Sequence, residues 1–229
     1  PIGPPIPKAV PDARPGLRGC GTGALWKRTS EYHSMSYDLP RATLGRTGLE
    51  ITRFGIGGCY CETADGYGAA LDCGVNYIDT ARAYREGEDE KVIGQALQDR
   101  RHELVLASKT SRRDAEGVRR ELETSLRALQ TDYLDIWYLH LPDPETPIEE
   151  TLETISQVVR SGKTRYWGVS NYRGWQIADI CLNADRLGVP RPIICQPYYN
   201  AMNRAPEVEV LPACKQYGLG VAPYSPLAR

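Results

Sequence analysis

Leu104-Val-Leu-Ala-Ser-Lys109, a helical stretch over 114–129, and Tyr133-Leu-Asp-Ile-Trp-Tyr-Leu-His140 together decide the fold. The outer two pieces are apolar runs of strand length. Between them Val118, Leu122, Leu126 and Leu129 recur on one helical face. Strand, helix, strand in that order reads as a parallel pair joined by a right-handed crossover. The same unit repeats in both directions. Further strand-like runs occupy 52–57, 75–79, 165–169, 192–196 and 219–224. A second clear helix covers 147–161, where Ile148, Leu152, Ile155 and Val159 share a face. Thr146-Pro147-Ile148-Glu149 reads as a capping box with proline at the first helical position. Pro206 opens another helix. Gly74, Gly162, Gly188 and Gly218 each follow a helical run and precede a strand, where a left-handed closing residue is expected. Ahead of the repeats, 41–51 alternates around a glycine-containing turn and reads as a hairpin, a plug for the bottom of a barrel.

Two architectures use such repeats. A doubly wound sheet that binds a dinucleotide carries GxGxxG after its first strand. Here that strand ends Gly55-Ile-Gly-Gly-Cys-Tyr60, outside that register. Gly19-Cys-Gly-Thr-Gly23 has no strand before it and is discounted. A (β/α)8 TIM barrel instead places its chemistry at the C-terminal ends of several strands. Asp79, Lys109 and His140 end three successive runs, and Tyr84 follows the first of them. The expected fold is therefore α/β, a (β/α)8 TIM barrel that is incomplete here, with about seven βα units and the hairpin plug.

Composition narrows the partners. Lys and Arg total 28 against 29 Asp and Glu, so the net charge of -1 gives no case for nucleic acid or an anionic membrane. No apolar run approaches the roughly 20 residues of a spanning helix. Seven cysteines at irregular spacing read as reduced thiols of a cytoplasmic protein, and no metal site is expected. Residues 1–34 hold Pro1, Pro4, Pro5, Pro7, Pro11 and Pro15 and lack patterning. They are expected to be an unstructured or non-native extension, with Met35 as the start and 35–229 as the barrel domain.

The four polar residues suggest a reaction. A phenol has a pKa near about 10 and is a poor acid at neutral pH. A nearby ammonium should lower that value, and a carboxylate should hold the cation in place. Asp79, Tyr84, Lys109 and His140 would supply this set, with His140 donating a hydrogen bond to a carbonyl oxygen. Together they suit protonation of a developing alkoxide, the acid half of a carbonyl reduction. The hydride half needs a nicotinamide cofactor.

In order and at barrel spacing, the chain also carries Leu44-Gly-Arg-Thr-Gly-Leu49, Gly74-Val-Asn-Tyr-Ile-Asp-Thr-Ala81, Glu90-Lys-Val-Ile-Gly94, Gly168-Val-Ser-Asn171, Gln196-Pro-Tyr-Tyr-Asn200 and Tyr224-Ser-Pro-Leu227. Over about 38–229 it resembles the aldo-keto reductases. The resemblance implies an oxidoreductase acting on a small-molecule carbonyl substrate, with Asp79, Tyr84, Lys109 and His140 as a catalytic tetrad and Tyr84 as proton donor. It implies that Ser170, Asn171 and Gln196 hold the nicotinamide carboxamide and that Tyr224 stacks on the ring. Ser225, Pro226 and Leu227 would line the pyrophosphate path, and NADP(H) is favoured over NAD(H). Against the family pattern the chain stops before an eighth strand and the loop that binds the adenosine phosphate, so weak cofactor binding is expected. Tyr60, Trp137 and Trp167 are candidate pocket aromatics or core. Two other readings stay open: a regulatory subunit resembling potassium-channel β subunits, and a Schiff-base aldolase using Lys109. Substrate and oligomeric state are not specified.

Overall fold

Short runs that are apolar on both faces form parallel strands covered on both sides. The computed structural model describes residues 37–228, so the extension expected over 1–34 lies outside the described residues. A two-stranded antiparallel hairpin comes first, β1 (Arg41–Thr43) paired with β2 (Glu50–Thr52). Seven parallel strands follow in sequence order: β3 (Ile56–Gly57), β4 (Tyr77–Asp79), β5 (Val105–Thr110), β6 (Leu134–Leu139), β7 (Thr164–Ser170), β8 (Ile194–Gln196) and β9 (Gly220–Val221). The helices between them are α1 (Ala64–Asp72), α2 (Glu88–Leu97), α3 (Ala115–Ala128), α4 (Ile148–Arg160), α5 (Gly174–Leu187) and α6 (Val210–Tyr217). Strands β3 and β9 are the two ends of the sheet. The molecule is an incomplete (β/α)8 barrel. Among the described residues no helix is long and apolar enough to cross a membrane.

Side-chain alternation along the strands divides the core into two layers. Ile78, Leu106, Trp137, Leu139, Trp167 and Val169 face the helices, where Val118, Leu122, Leu152 and Ile155 meet them. Tyr77, Val105, Ala107, Ile136, Tyr138 and Ile194 face inward, and the hairpin adds Leu44 and Ile51 to that inner cluster. The hairpin thus plugs the bottom, as its alternation suggested. It packs closely: at Gly45 (φ 51°) a Cβ would lie 2.5 Å from the Ile193 carbonyl oxygen.

Helix α3 starts where the sequence places it, with the Asp114 carboxylate accepting from the Gly117 N–H at 2.7 Å. The capping box expected at Thr146 does not form. Pro147 is the cap residue, and the Thr146 hydroxyl donates to Asp143 at 2.8 Å instead. Run 52–57 is divided: Thr52 closes the hairpin, exposed Phe54 lies between, and only Ile56–Gly57 joins the barrel. Pro206 lies in a short 3-10 turn, Ala205–Glu207, ahead of α6. The four closing glycines all have positive φ, between 65° and 90°.

Candidate active site

The inward column of each strand is apolar below and polar at its C-terminal end. Asp79 caps the column above Tyr77, Lys109 stands above Ala107, and Ser170 above Gly168. The register aligns Asp79 with Ala107, Lys109 with Tyr138, and Ser170 with Gln196. Beneath them the Tyr77 and Tyr138 hydroxyls share a hydrogen bond of 3.1 Å. Gly168 makes room for this floor, since a Cβ there would lie 2.9 Å from the Tyr138 ring. The same alternation turns Trp137 and Trp167 outward into the helix-facing layer, with 0% and 1% exposure. They belong to the core and do not line the mouth.

Lys109 is fully buried, ion-paired to Asp79, and donates to the Thr80 carbonyl oxygen at 2.8 Å. Tyr84 opens a 3-10 turn after β4, shaped by left-handed Arg85 and Glu86. Its ring centroid lies 5.0 Å from the Lys109 ammonium. His140 follows β6 and meets the Tyr84 ring edge-on, with centroids 5.7 Å apart at 77°. The structure therefore brings Asp79, Tyr84, Lys109 and His140 to one mouth.

The electrostatics differ from the expectation at Tyr84. Burial pushes the phenol well above its ordinary value, and the Asp79 charge pushes it the same way. Burial and the Asp79 carboxylate, itself paired with Lys109, thus outweigh the lowering expected from the ammonium. His140 is pulled down to about 4, first by burial and then by the Lys109 charge. Its imidazole is neutral at pH 7, and its Nδ1 is buried without a hydrogen-bond partner.

A polar rim continues from this set along β7 and β8. The Gln196 amide donates to Asp79 at 2.9 Å. Ser170 donates its hydroxyl to the Gln196 carbonyl at 3.0 Å. The Asn171 amide reaches the His140 carbonyl at 3.0 Å, and the Tyr224 hydroxyl donates to Asn171 at 2.9 Å. Tyr224 leans on Tyr198, with ring centroids 5.3 Å apart. Ser225 is tied by its carbonyl to the Asn200 amide at 3.0 Å, while Pro226 and Leu227 are exposed beyond it. This donor and acceptor set suits a primary carboxamide, which needs both kinds of partner. A separate cleft of about 630 Å³, lined in part by Pro142, Tyr172 and Trp175, includes none of the four mouth residues.

The model of the Aldo/keto reductase family matches residues 61–229. The chain belongs to the aldo/keto reductase family. It is 35% identical over 206 residues to a probable voltage-gated potassium channel subunit beta of Oryza sativa subsp. japonica, a match covering 81% of this chain and 63% of that protein. It is 38% identical over 168 residues to aflatoxin B1 aldehyde reductase member 2 of Rattus norvegicus, covering 70% of this chain and 46% of the relative. The aldo-keto reductase YhdN of Bacillus subtilis is 36% identical over 210 residues, covering 82% and 62%. The chain thus spans less than two thirds of the length of these curated relatives.

This aldo/keto reductase also carries site neighbours that sequence reasoning missed. Thr80 supplies a carbonyl to Lys109. Buried Asp89 gathers the Tyr67 hydroxyl, the Thr80 hydroxyl and the Cys59 N–H. Asp89 sits in the acidic run Glu88-Asp-Glu90, which reads as an ordinary solvated helix start. It is buried where α2 meets Tyr67 of α1, Cys59 after β3 and Thr80 after β4.

Proposed function

We propose that the chain holds the reaction centre of an NAD(P)H-dependent oxidoreductase that reduces aldehydes or ketones in the cytoplasm. The observation that carries this reading is the buried Lys109–Asp79 pair beneath Tyr84, with a neutral His140 against the phenol. Tyr84 stays protonated at neutral pH and so has a proton to give. The neutral imidazole of His140 donates a hydrogen bond to the substrate carbonyl oxygen and orients it toward the Tyr84 hydroxyl. As that oxygen gains alkoxide character, the Tyr84 Oη proton passes to it. The phenolate left behind is stabilised by Lys109, which Asp79 holds in place.

A bound nicotinamide cofactor supplies the hydride. Ser170, Asn171 and Gln196 would hold its carboxamide, Tyr224 would lie against the ring, and Ser225, Pro226 and Leu227 would line the pyrophosphate path. NADP(H) is proposed over NAD(H) on the family resemblance. The aldehyde reductase name of the rat relative supports the substrate class.

Replacing Tyr84 with Phe removes the proton and keeps the ring. NADPH-dependent reduction of a panel of aldehydes should fall by about 10²–10⁴-fold. Turnover unchanged in Tyr84→Phe would sink the reading. The rice relative's name supports a second one, a channel-associated subunit of the same fold. Cofactor binding without turnover on any aldehyde, together with capture of a channel cytoplasmic domain, would favour it.

A further inference from the structure

Asp89 is the second residue of α2, fully buried, and it accepts from three neutral donors. One oxygen takes the Tyr67 hydroxyl at 3.0 Å and the Cys59 N–H at 3.2 Å. The other takes the Thr80 hydroxyl. The carboxylate lies in the first turn of α2, where unpaired N–H groups favour an anion. The chain folds tightly around it: at Gly58 a Cβ would lie 2.1 Å from the second oxygen. Asp89 therefore ties together α1, the loop after β3 and the end of β4.

We infer that Asp89 is a positioning residue for the Lys109 ammonium, acting through Thr80; the inference rests on the carbonyl-reductase reading above. Thr80 is the link, since its hydroxyl goes to Asp89 and its carbonyl oxygen takes the Lys109 ammonium at 2.8 Å. Its backbone N–H is fixed on the Ala107 carbonyl at 2.9 Å. Asp79 and the Thr80 carbonyl thus anchor Lys109 from two sides, 5.0 Å from the Tyr84 ring centroid. Without Asp89 the Thr80 side chain loses its acceptor and its carbonyl is free to tilt. One anchor on the ammonium then weakens, and the cation that receives the Tyr84 phenolate shifts.

The test follows the Lys109 Nζ resonance at one fixed pH in the whole chain labelled with ¹⁵N-lysine, assigned through Lys109→Arg. Asp89→Leu, similar in size and without an acceptor, should displace that resonance and speed exchange of the ammonium protons with solvent about tenfold, the equivalent of one weakened charged hydrogen bond. Thr80→Val should act in the same direction, while Thr80→Ser, which keeps the hydroxyl, should match the unaltered chain. Turnover of an aldehyde with NADPH should fall about tenfold in Thr80→Val, in kcat and not in the KM for NADPH. A folded Asp89→Leu or Thr80→Val chain with the Lys109 resonance and exchange unchanged overturns the inference. If Asp89→Leu does not fold, the Thr80→Val and Thr80→Ser pair decides. Failure of the Tyr84→Phe test removes the functional reading alone, because the Lys109 resonance is read without turnover.

Discussion

At the scale of single residues, His140 offers a clean measurement. Folding holds its imidazole neutral down to about 4, whereas the unfolded chain takes up the proton near the ordinary 6.5. Between those values the unfolded state binds more protons, so stability falls as pH drops through that window and levels off below it. His140→Gln removes this contribution. Urea midpoints measured at pH 7 and pH 5 should therefore lie closer together in the variant than in the unaltered chain. Equal separation in the two proteins would count against the buried, neutral histidine. The identity of His140, Asp79 and Lys109 as strand-end residues was legible from sequence. The direction of the Tyr84 shift was not, because it depends on how deeply the ring is buried and on which charges are already paired.

At the scale of elements, helix and strand order came directly from periodicity, and element ends came only where a side chain makes a local bond. Asp114 caps α3 and the sequence shows it; Thr146 finds a nearer partner in Asp143 and does not cap α4. The closing glycines were legible because a left-handed residue is required by the turn itself. Gly188 tests this in isolation. It has φ 65°, and a Cβ there would meet nothing within 4 Å. Gly188→Ala should thus cost about 1–2 kcal/mol through backbone strain alone, read as a lower urea midpoint. A midpoint equal to that of the unaltered chain would show that α5 can close in another conformation. Strand β3 was the least legible element, since its two residues are recruited by β4 and carry no alternation of their own.

At the scale of the whole molecule, the inner layer depends on the hairpin as well as the barrel strands. Leu44 is 4% exposed and packs with Tyr77, Val105 and Ile136. Leu44→Ala should cost about 2–5 kcal/mol by opening a cavity under the barrel. Met202→Ala, at a side chain 83% exposed, should stay within about 0.5 kcal/mol of the unaltered chain. Similar losses in the two variants would mean that the hairpin does not close the inner core. By itself the sequence determined the order of strands and helices and the strand ends that carry Asp79, Lys109 and His140. Those features follow from local periodicity and from the chirality of crossovers, which act within a few tens of residues. Only the tertiary structure decided that Trp137 and Trp167 are core, that Asp89 is buried, and that Tyr84 is held protonated. Each of these is set by neighbours far along the chain, through burial and through charges whose separation the sequence does not contain.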